Sequence, residues 1–196
     1  MEALGVLEGH SLARGLKALD VCIKKAHLLN PSIRFVSPGK FVLWMGGTVG
    51  DVEESFQDGL QALGDNATGQ VKIFDPHPNL VKALSALENS EGVYQELKKL
   101  KDTSIGLFEW TDICGAIQGV DAILKGMQIS LRYLRFAKGI GGKTMTLFDG
   151  DLAEVQAAQD YLQVNAPKMI EGQIIARPDP IWVKQVPAWL ESSWGE

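Results

Sequence analysis

The sequence predicts an α/β chain of the α+β, ferredoxin-like kind, built from one β-α-β-β-α-β-α unit that occurs twice. Three observations carry this reading. Residues 3–8, Ala-Leu-Gly-Val-Leu-Glu, return at 104–109 as Ser-Ile-Gly-Leu-Phe-Glu, an offset of 101. At that offset the apolar set Leu12, Leu16, Leu19 and Ile23 maps onto Ile113, Ile117, Val120 and Leu124, a stripe at helical spacing in both places. Gly39 and Lys40 then meet Gly142 and Lys143 at an offset of 103, and Asp-Pro-His-Pro at 75–78 meets Arg-Pro-Asp-Pro at 177–180 at 102. Few positions are identical, yet order, spacing and residue class agree along nearly the whole chain.

Each element has a local reason. The alternation from Ala3 to Leu7 predicts a buried strand that ends at Glu8 and Gly9. A helix follows, capped by Ser11 in the first copy and Asp112 in the second, because a short polar side chain accepts from the unpaired N–H groups of the first turn. Pro31 to Val36 reads as a short strand. Ser37, Pro38 and Gly39 form a turn, since proline presets φ and glycine takes the positive φ that follows. Phe41 to Met45 is an apolar run between turn signals, hence a central strand, which Gly46 and Gly47 are expected to break. Thr48 is placed to cap a helix carrying Val49, Val52, Phe56 and Leu60 on one face. Val71 to Phe74 is a fourth strand, and a last helix starts after Pro78. Such a unit is close to the split βαβ arrangement, with helices over one face of a mainly antiparallel sheet. The stretch 88–103 is polar and charged and makes the join, so the domains are placed at 1–102 and 103–196.

Composition excludes several function classes. With 45% hydrophobic and 22% charged residues the chain has globular proportions, which argues against disorder. No apolar run reaches the roughly 18 residues of a membrane span, and the first residues lack the basic-then-apolar pattern of a signal peptide. A soluble, cytoplasmic, non-secreted protein without a membrane partner is expected. The net charge of −5 comes without a basic cluster, which disfavours nucleic acid. Cys22 and Cys114 stand far apart with no histidine at metal spacing, so they read as buried reduced thiols, and neither metal nor cofactor is expected.

Taken in order, the Ala-Leu-Gly-Val-Leu-Glu strand, the helix with Asp20 and Lys24, the Pro38-Gly39-Lys40 turn, the strand to Gly46-Gly47 and the strand ending at Pro76 resemble the bacterial microcompartment shell domain. Two such units in unpermuted order resemble the tandem, trimer-forming shell proteins. The turn pair at 37–41 and 139–143 is similar to that of the propanediol-utilisation kind, and the resemblance covers roughly residues 3 to 186. It implies an architectural, non-enzymatic role. Three chains would supply six domains to a pseudohexameric tile, and tiles would pack edge to edge with other shell proteins around enzymes. A central pore would pass small metabolites. Fused, diverged copies in threefold arrangement give a closed heterologous ring, which fits this picture. By the same resemblance Ser37, Pro38, Gly39, Ile140, Gly141 and Gly142 line the pore. Lys24 and Lys125 lie along the tile edges near Arg177, where the first copy has Asp75. Some tandem shell proteins carry a cysteine at the position of Ser37, where three copies hold an iron–sulfur cluster. Serine is a poor substitute for thiolate in cluster ligation, so the electron-conduit role is set aside. The competing readings on this fold are a discrete trimer that binds a small molecule and a pore-linked redox protein.

Other motifs yield little chemistry. Residues 137–144, Ala-Lys-Gly-Ile-Gly-Gly-Lys-Thr, nearly spell a phosphate-binding loop. That mechanism needs a helix directly after Lys-Thr, whereas Met145 to Phe148 reads as a strand. His10, His27 and His77 have no nucleophile at motif spacing, so no catalytic residue is expected. Glu8 and Glu109 recur in both copies, as a carboxylate pair or, preferably, as strand ends each held by a structural hydrogen bond. Trp182, Trp189 and Trp194 crowd the C-terminus, where they either cover the sheet or meet a partner.

Overall fold

The structure, a computed structural model, describes residues 1–87, 92–94, 103–136 and 140–192, of which 92–94 and 187–192 by backbone alone. The expected domain boundary at Asp102, the whole of Trp194 and the side chain of Trp189 lie outside the described residues. The first copy runs β1 (Ala3–Gly9), α1 (Leu12–Lys25), β2 (Leu29–Val36), β3 (Lys40–Gly47), α2 (Val49–Leu63), a 3-10 turn, β4 (Ala67–Phe74) and α3 (Pro78–Leu87). After a short β5 (Gly92–Tyr94), the second copy runs β6 (Ser104–Trp110), α4 (Ile113–Gly126), β7 (Ile129–Phe136), β8 (Thr144–Gly150), α5 (Leu152–Asn165), β9 (Met169–Ile175) and α6 (Pro180–Ser192). Each copy thus follows the expected order. The strands form two antiparallel sheets, β2-β3-β1-β4 and β5-β7-β8-β6-β9.

The expected caps form. Ser11 Oγ accepts from the Arg14 N–H at 3.4 Å, Asp112 Oδ1 from Gly115 at 2.6 Å, and Thr48 Oγ1 from Asp51 at 3.2 Å. The expected break at Gly46 and Gly47 does not occur. Both glycines pair with Leu4 and Ala3 of β1, and the Glu2 N–H extends the ladder to the Gly47 carbonyl at 3.0 Å. Bare backbone suits this place, because a Cβ on Gly46 would collide with the Met1 side chain.

The two faces of the first sheet are buried by different sets of helices. Leu7, Leu43 and Met45 form one cluster with Ala18 and Cys22 of α1 and Val52 and Phe56 of α2. On the other face Leu4, Val6, Val42, Trp44, Val71 and Ile73 join α3 and the α4 stripe of Ile113, Ile117, Val120 and Leu124. One hydrophobic core therefore crosses from the first copy into the second.

Within each copy the same volume is filled by opposite partners. Gly9 pairs with Phe41 across β1 and β3, whereas Trp110 pairs with Thr144 at the matching place in β6 and β8. Phe41 lies against Gly15 of α1, where a Cβ would come within 2.8 Å of its ring. Trp110 lies against Gly119 of α4, where a Cβ would come within 2.3 Å, and its indole N–H donates to Thr146 Oγ1 at 3.3 Å. Large faces small in both sheets, with the sizes exchanged between strands, which keeps the core at native density.

Candidate functional site

Ser37, Pro38 and Gly39 join β2 to β3, and Ile140, Gly141 and Gly142 join β7 to β8. Ser37, Pro38, Gly39 and Gly141 are exposed. Gly39, Gly141 and Gly142 take φ of 69°, 65° and 84°, the left-handed region that glycine enters without steric cost. The Lys143 N–H closes the second turn on the Ile140 carbonyl at 3.3 Å. Although they are far apart in sequence, the two turns touch. A Cβ on Gly142 would sit 3.0 Å from Pro38 Cδ and 3.5 Å from the Ser37 carbonyl oxygen. The fold thus gathers these residues in one place, and the group offers a hydroxyl and backbone polar groups but no charge.

Behind each turn stands a Lys–Glu pair. Lys40 Nζ lies 3.2 Å from Glu8 Oε1, and Lys143 Nζ lies 2.8 Å from Glu109 Oε2. Glu8 is fully buried, and its second oxygen accepts the N–H of Ile113, the first residue of α4, at 3.0 Å. That N–H has no partner within its helix, and a carboxylate there also suits the helix dipole. The structural role expected of Glu8 is therefore met across the junction between the two copies. Glu109 is 41% exposed with Lys143 as its partner.

A second difference between the copies is larger. The α4 stripe Ile113, Ile117, Val120 and Leu124 is at most 5% exposed, because it covers the first sheet. Of the matching residues of α1, Leu12, Leu16 and Ile23 stand open at 38%, 50% and 49%, while Leu19 is half-buried against the first copy's own core. The surface that corresponds to the α4 docking face lies on the second sheet. There Ile105, Tyr133 and Leu147 are buried under Trp182, Val183 and Val186 of α6, while Leu107, Met145 and Ile175 are only partly buried. Trp182 thus covers the sheet. One end of the chain presents an uncovered helix stripe, and the other presents a half-covered sheet.

The two lysines occupy different surroundings. Lys24 pairs with Asp20 at 2.7 Å, and both are largely exposed. Lys125 pairs with Asp121 at 2.6 Å and donates to the Phe74 carbonyl of the first copy at 3.1 Å. Asp121 is almost buried and accepts the His77 N–H at 2.7 Å. Arg177 is exposed, at φ 53°, and its counterpart Asp75 has φ 50°, so both copies turn alike where β4 and β9 end.

The thiols are structural. Cys22 donates to the Ser55 carbonyl at 3.2 Å, and burial, aided by the charge of Asp58, pushes it up to about 11. Cys114 is raised well above its ordinary value by burial, with Glu8 and Asp112 adding to the effect. Among the described residues no three His, Cys, Asp or Glu side chains converge on a metal site. With Ser37 at the turn and both thiols buried in helices, the donor set does not fit an iron–sulfur cluster. Thr144 opens a strand rather than a helix, so the phosphate-loop mechanism has no helix N-terminus; Ala137 to Gly139 lie outside the described residues. No helix among the described residues is long and apolar enough to cross a membrane.

A doubled unit with one junction closed inside the chain and one left open defines a class, the fused two-domain chain. The chain belongs to the BMC-domain family of bacterial microcompartment shell proteins: the BMC domain matches residues 3–74 and again 104–178. It is 27% identical over 189 residues to the bacterial microcompartment shell protein PduT of Citrobacter freundii, covering 94% of this chain and 98% of that one. A microcompartment protein of Desulfitobacterium hafniense DCB superposes with TM-score 0.76 at 25% identity, over 94% of this chain and 99% of the other. A double-ringed trimeric shell protein of the RMM microcompartment superposes with TM-score 0.62 at 18% identity, over 88% and 86%, and shares the fold. This chain is accordingly a tandem-domain shell protein of a bacterial microcompartment.

Proposed function

We propose that three copies close head to tail into a pseudohexameric tile, with α1 of each protomer covering the second sheet of the next. The observation that carries this is the contrast between two equivalent stripes, buried in α4 and open in α1. A rotation that repeats the internal junction brings the open stripe onto the half-covered sheet, and such a heterologous contact either closes into a ring or grows without limit. With six units to a ring, the number the family resemblance implies, three fused chains are the closed solution.

In the ring the paired turns surround the axis. Ser37, Pro38, Gly39, Ile140, Gly141 and Gly142 form an uncharged constriction for small polar metabolites. Lys24, Lys125 and Arg177 stand where the junctions reach the tile edge, toward neighbouring shell proteins, and the join between domains falls near residue 102. The role is architectural rather than catalytic. Light scattering of the purified chain tests the ring: a particle of three times 21.4 kDa supports it. A stable monomer or dimer at micromolar concentration removes it.

A further inference from the structure

We infer that the ring closes through a second set of the polar contacts that already join the two halves of one chain, with Glu109 holding the first turn of α1 of the partner subunit. This rests on the ring proposed above and adds which groups make it.

Among the described residues, three polar contacts of the internal junction have counterparts at the open ends. The long contact of the Cys114 thiol with the Val6 carbonyl at 3.8 Å does not, because Ala13 stands in its place. Glu8 takes the Ile113 N–H, Asp121 takes the His77 N–H, and Lys125 donates to the Phe74 carbonyl. Each of these three has its counterpart at the open ends. Glu109 stands next to last in β6 as Glu8 does in β1, and Lys143 holds it as Lys40 holds Glu8. Leu12 opens α1 as Ile113 opens α4, and Ser11 caps Arg14, which leaves the Leu12 N–H without a partner within its helix. Asp20 and Lys24 are already paired at 2.7 Å, as Asp121 and Lys125 are at 2.6 Å.

The receiving loop is also preformed. The Ile181 N–H donates to Asp179 Oδ1 at 2.7 Å, just as the Asn79 N–H donates to His77 Nδ1 at 3.2 Å. Arg177 and Asp75 share the same positive φ. Repeating the internal junction therefore sets Glu109 on the N–H of the partner's Leu12. It also sets the partner's Asp20 on the N–H of Asp179, and the partner's Lys24 on the carbonyl of Ala176. The counterparts differ in burial, as expected of groups that docking covers, and in the receiving loop, where Asp179 and Arg177 stand for His77 and Asp75. A charge-assisted bond to a helix-end N–H fixes register, which an apolar stripe alone does not.

Amide hydrogen exchange followed by NMR reads these contacts residue by residue. In the wild-type trimer the Leu12 amide should exchange about tenfold or more slowly than in a Glu109→Ala trimer, with Asp179 responding likewise to Asp20→Ala. The Ile113 amide, pinned inside the chain, should not change. A wild-type trimer whose Leu12 and Asp179 amides exchange as fast as in the variants overturns the inference and leaves the ring standing. Absence of any wild-type trimer removes both. Should a variant fail to fold, wild-type protein on either side of its dissociation midpoint supplies the same comparison, and equal exchange at Leu12 again overturns it.

Discussion

Leu16→Ala is the substitution that most cleanly separates the ring from the chain. Leu16 is 50% exposed in the protomer and lies in the stripe whose α4 counterpart, Ile117, is fully buried. Complete burial of a leucine is worth about 1.5–3 kcal/mol, so covering the exposed half on ring closure contributes about 1 kcal/mol per junction. A trimer has three junctions, so the variant loses about 3 kcal/mol, which raises the trimer dissociation constant about a hundredfold. Sedimentation velocity over a dilution series measures that constant. Ile117→Ala provides the contrast, because it empties a buried site within the chain and should cost the fold itself about 2–5 kcal/mol. If Leu16→Ala dissociates at the wild-type concentration, the α1 stripe is not the closing surface and the reasoning fails.

Four further outcomes follow from particular contacts. Gly119→Ala sets a methyl into the Trp110 ring and should destabilise the chain by about 1–3 kcal/mol in urea unfolding, whereas Ala18→Gly at the matching place should show the helix cost of about 1 kcal/mol and the loss of one buried methyl, about 0.8 kcal/mol. Because Cys22 is raised from 9.0 to about 11, its contribution to stability is complete below pH 9 and lost as pH rises toward 11. Thiol-reactive dye at pH 8 should accordingly modify it only on unfolding. A Ser37→Cys variant should take up iron and sulfide at one cluster per trimer with a visible absorbance band; equal uptake by the wild type would contradict the reading of Ser37. Lys24→Ala and Lys125→Ala together should remove ordered sheets from electron micrographs, and because Lys24 also reaches the ring-closing junction the trimers that persist should dissociate at a higher concentration than the wild type. Lys125→Ala alone should lower the melting temperature further than Lys24→Ala, since it leaves the nearly buried Asp121 without its cation at a cost of about 1 kcal/mol.

The repeat was legible because it is written in residues with local jobs: helix caps, turn glycines and stripes at fixed spacing. Ser11, Asp112 and Thr48 mark their helices from sequence alone because capping involves only neighbours in the chain. Gly46 and Gly47 misled because their strand is decided by pairing with residues 3 and 4, which overrides the local signal for a break. The exchange of Gly9 and Phe41 for Trp110 and Thr144 carries no local signal. It was detectable only as two aligned positions changing size in opposite directions, and its meaning needed the knowledge that they pair across strands.

The candidate site was legible to the same degree. Both turns were readable, but their contact depends on how the copies pack. Lys24 and Lys125 occupy matching helix positions and look alike in sequence. They differ in the structure because the strand end that receives Lys125 belongs to the same chain. Glu8 and Glu109 were visible as recurring acids, while the helix N-terminus that Glu8 meets lies more than a hundred residues away.

The central claim is that this chain is a tile, and negative-stain electron microscopy of the concentrated wild-type protein tests it most directly. The account predicts ring-shaped particles of threefold symmetry with a central opening, packed edge to edge into hexagonal sheets. Particles that remain discrete trimers at every concentration would make the chain a free-standing ring, and particles without a threefold axis would contradict the account altogether.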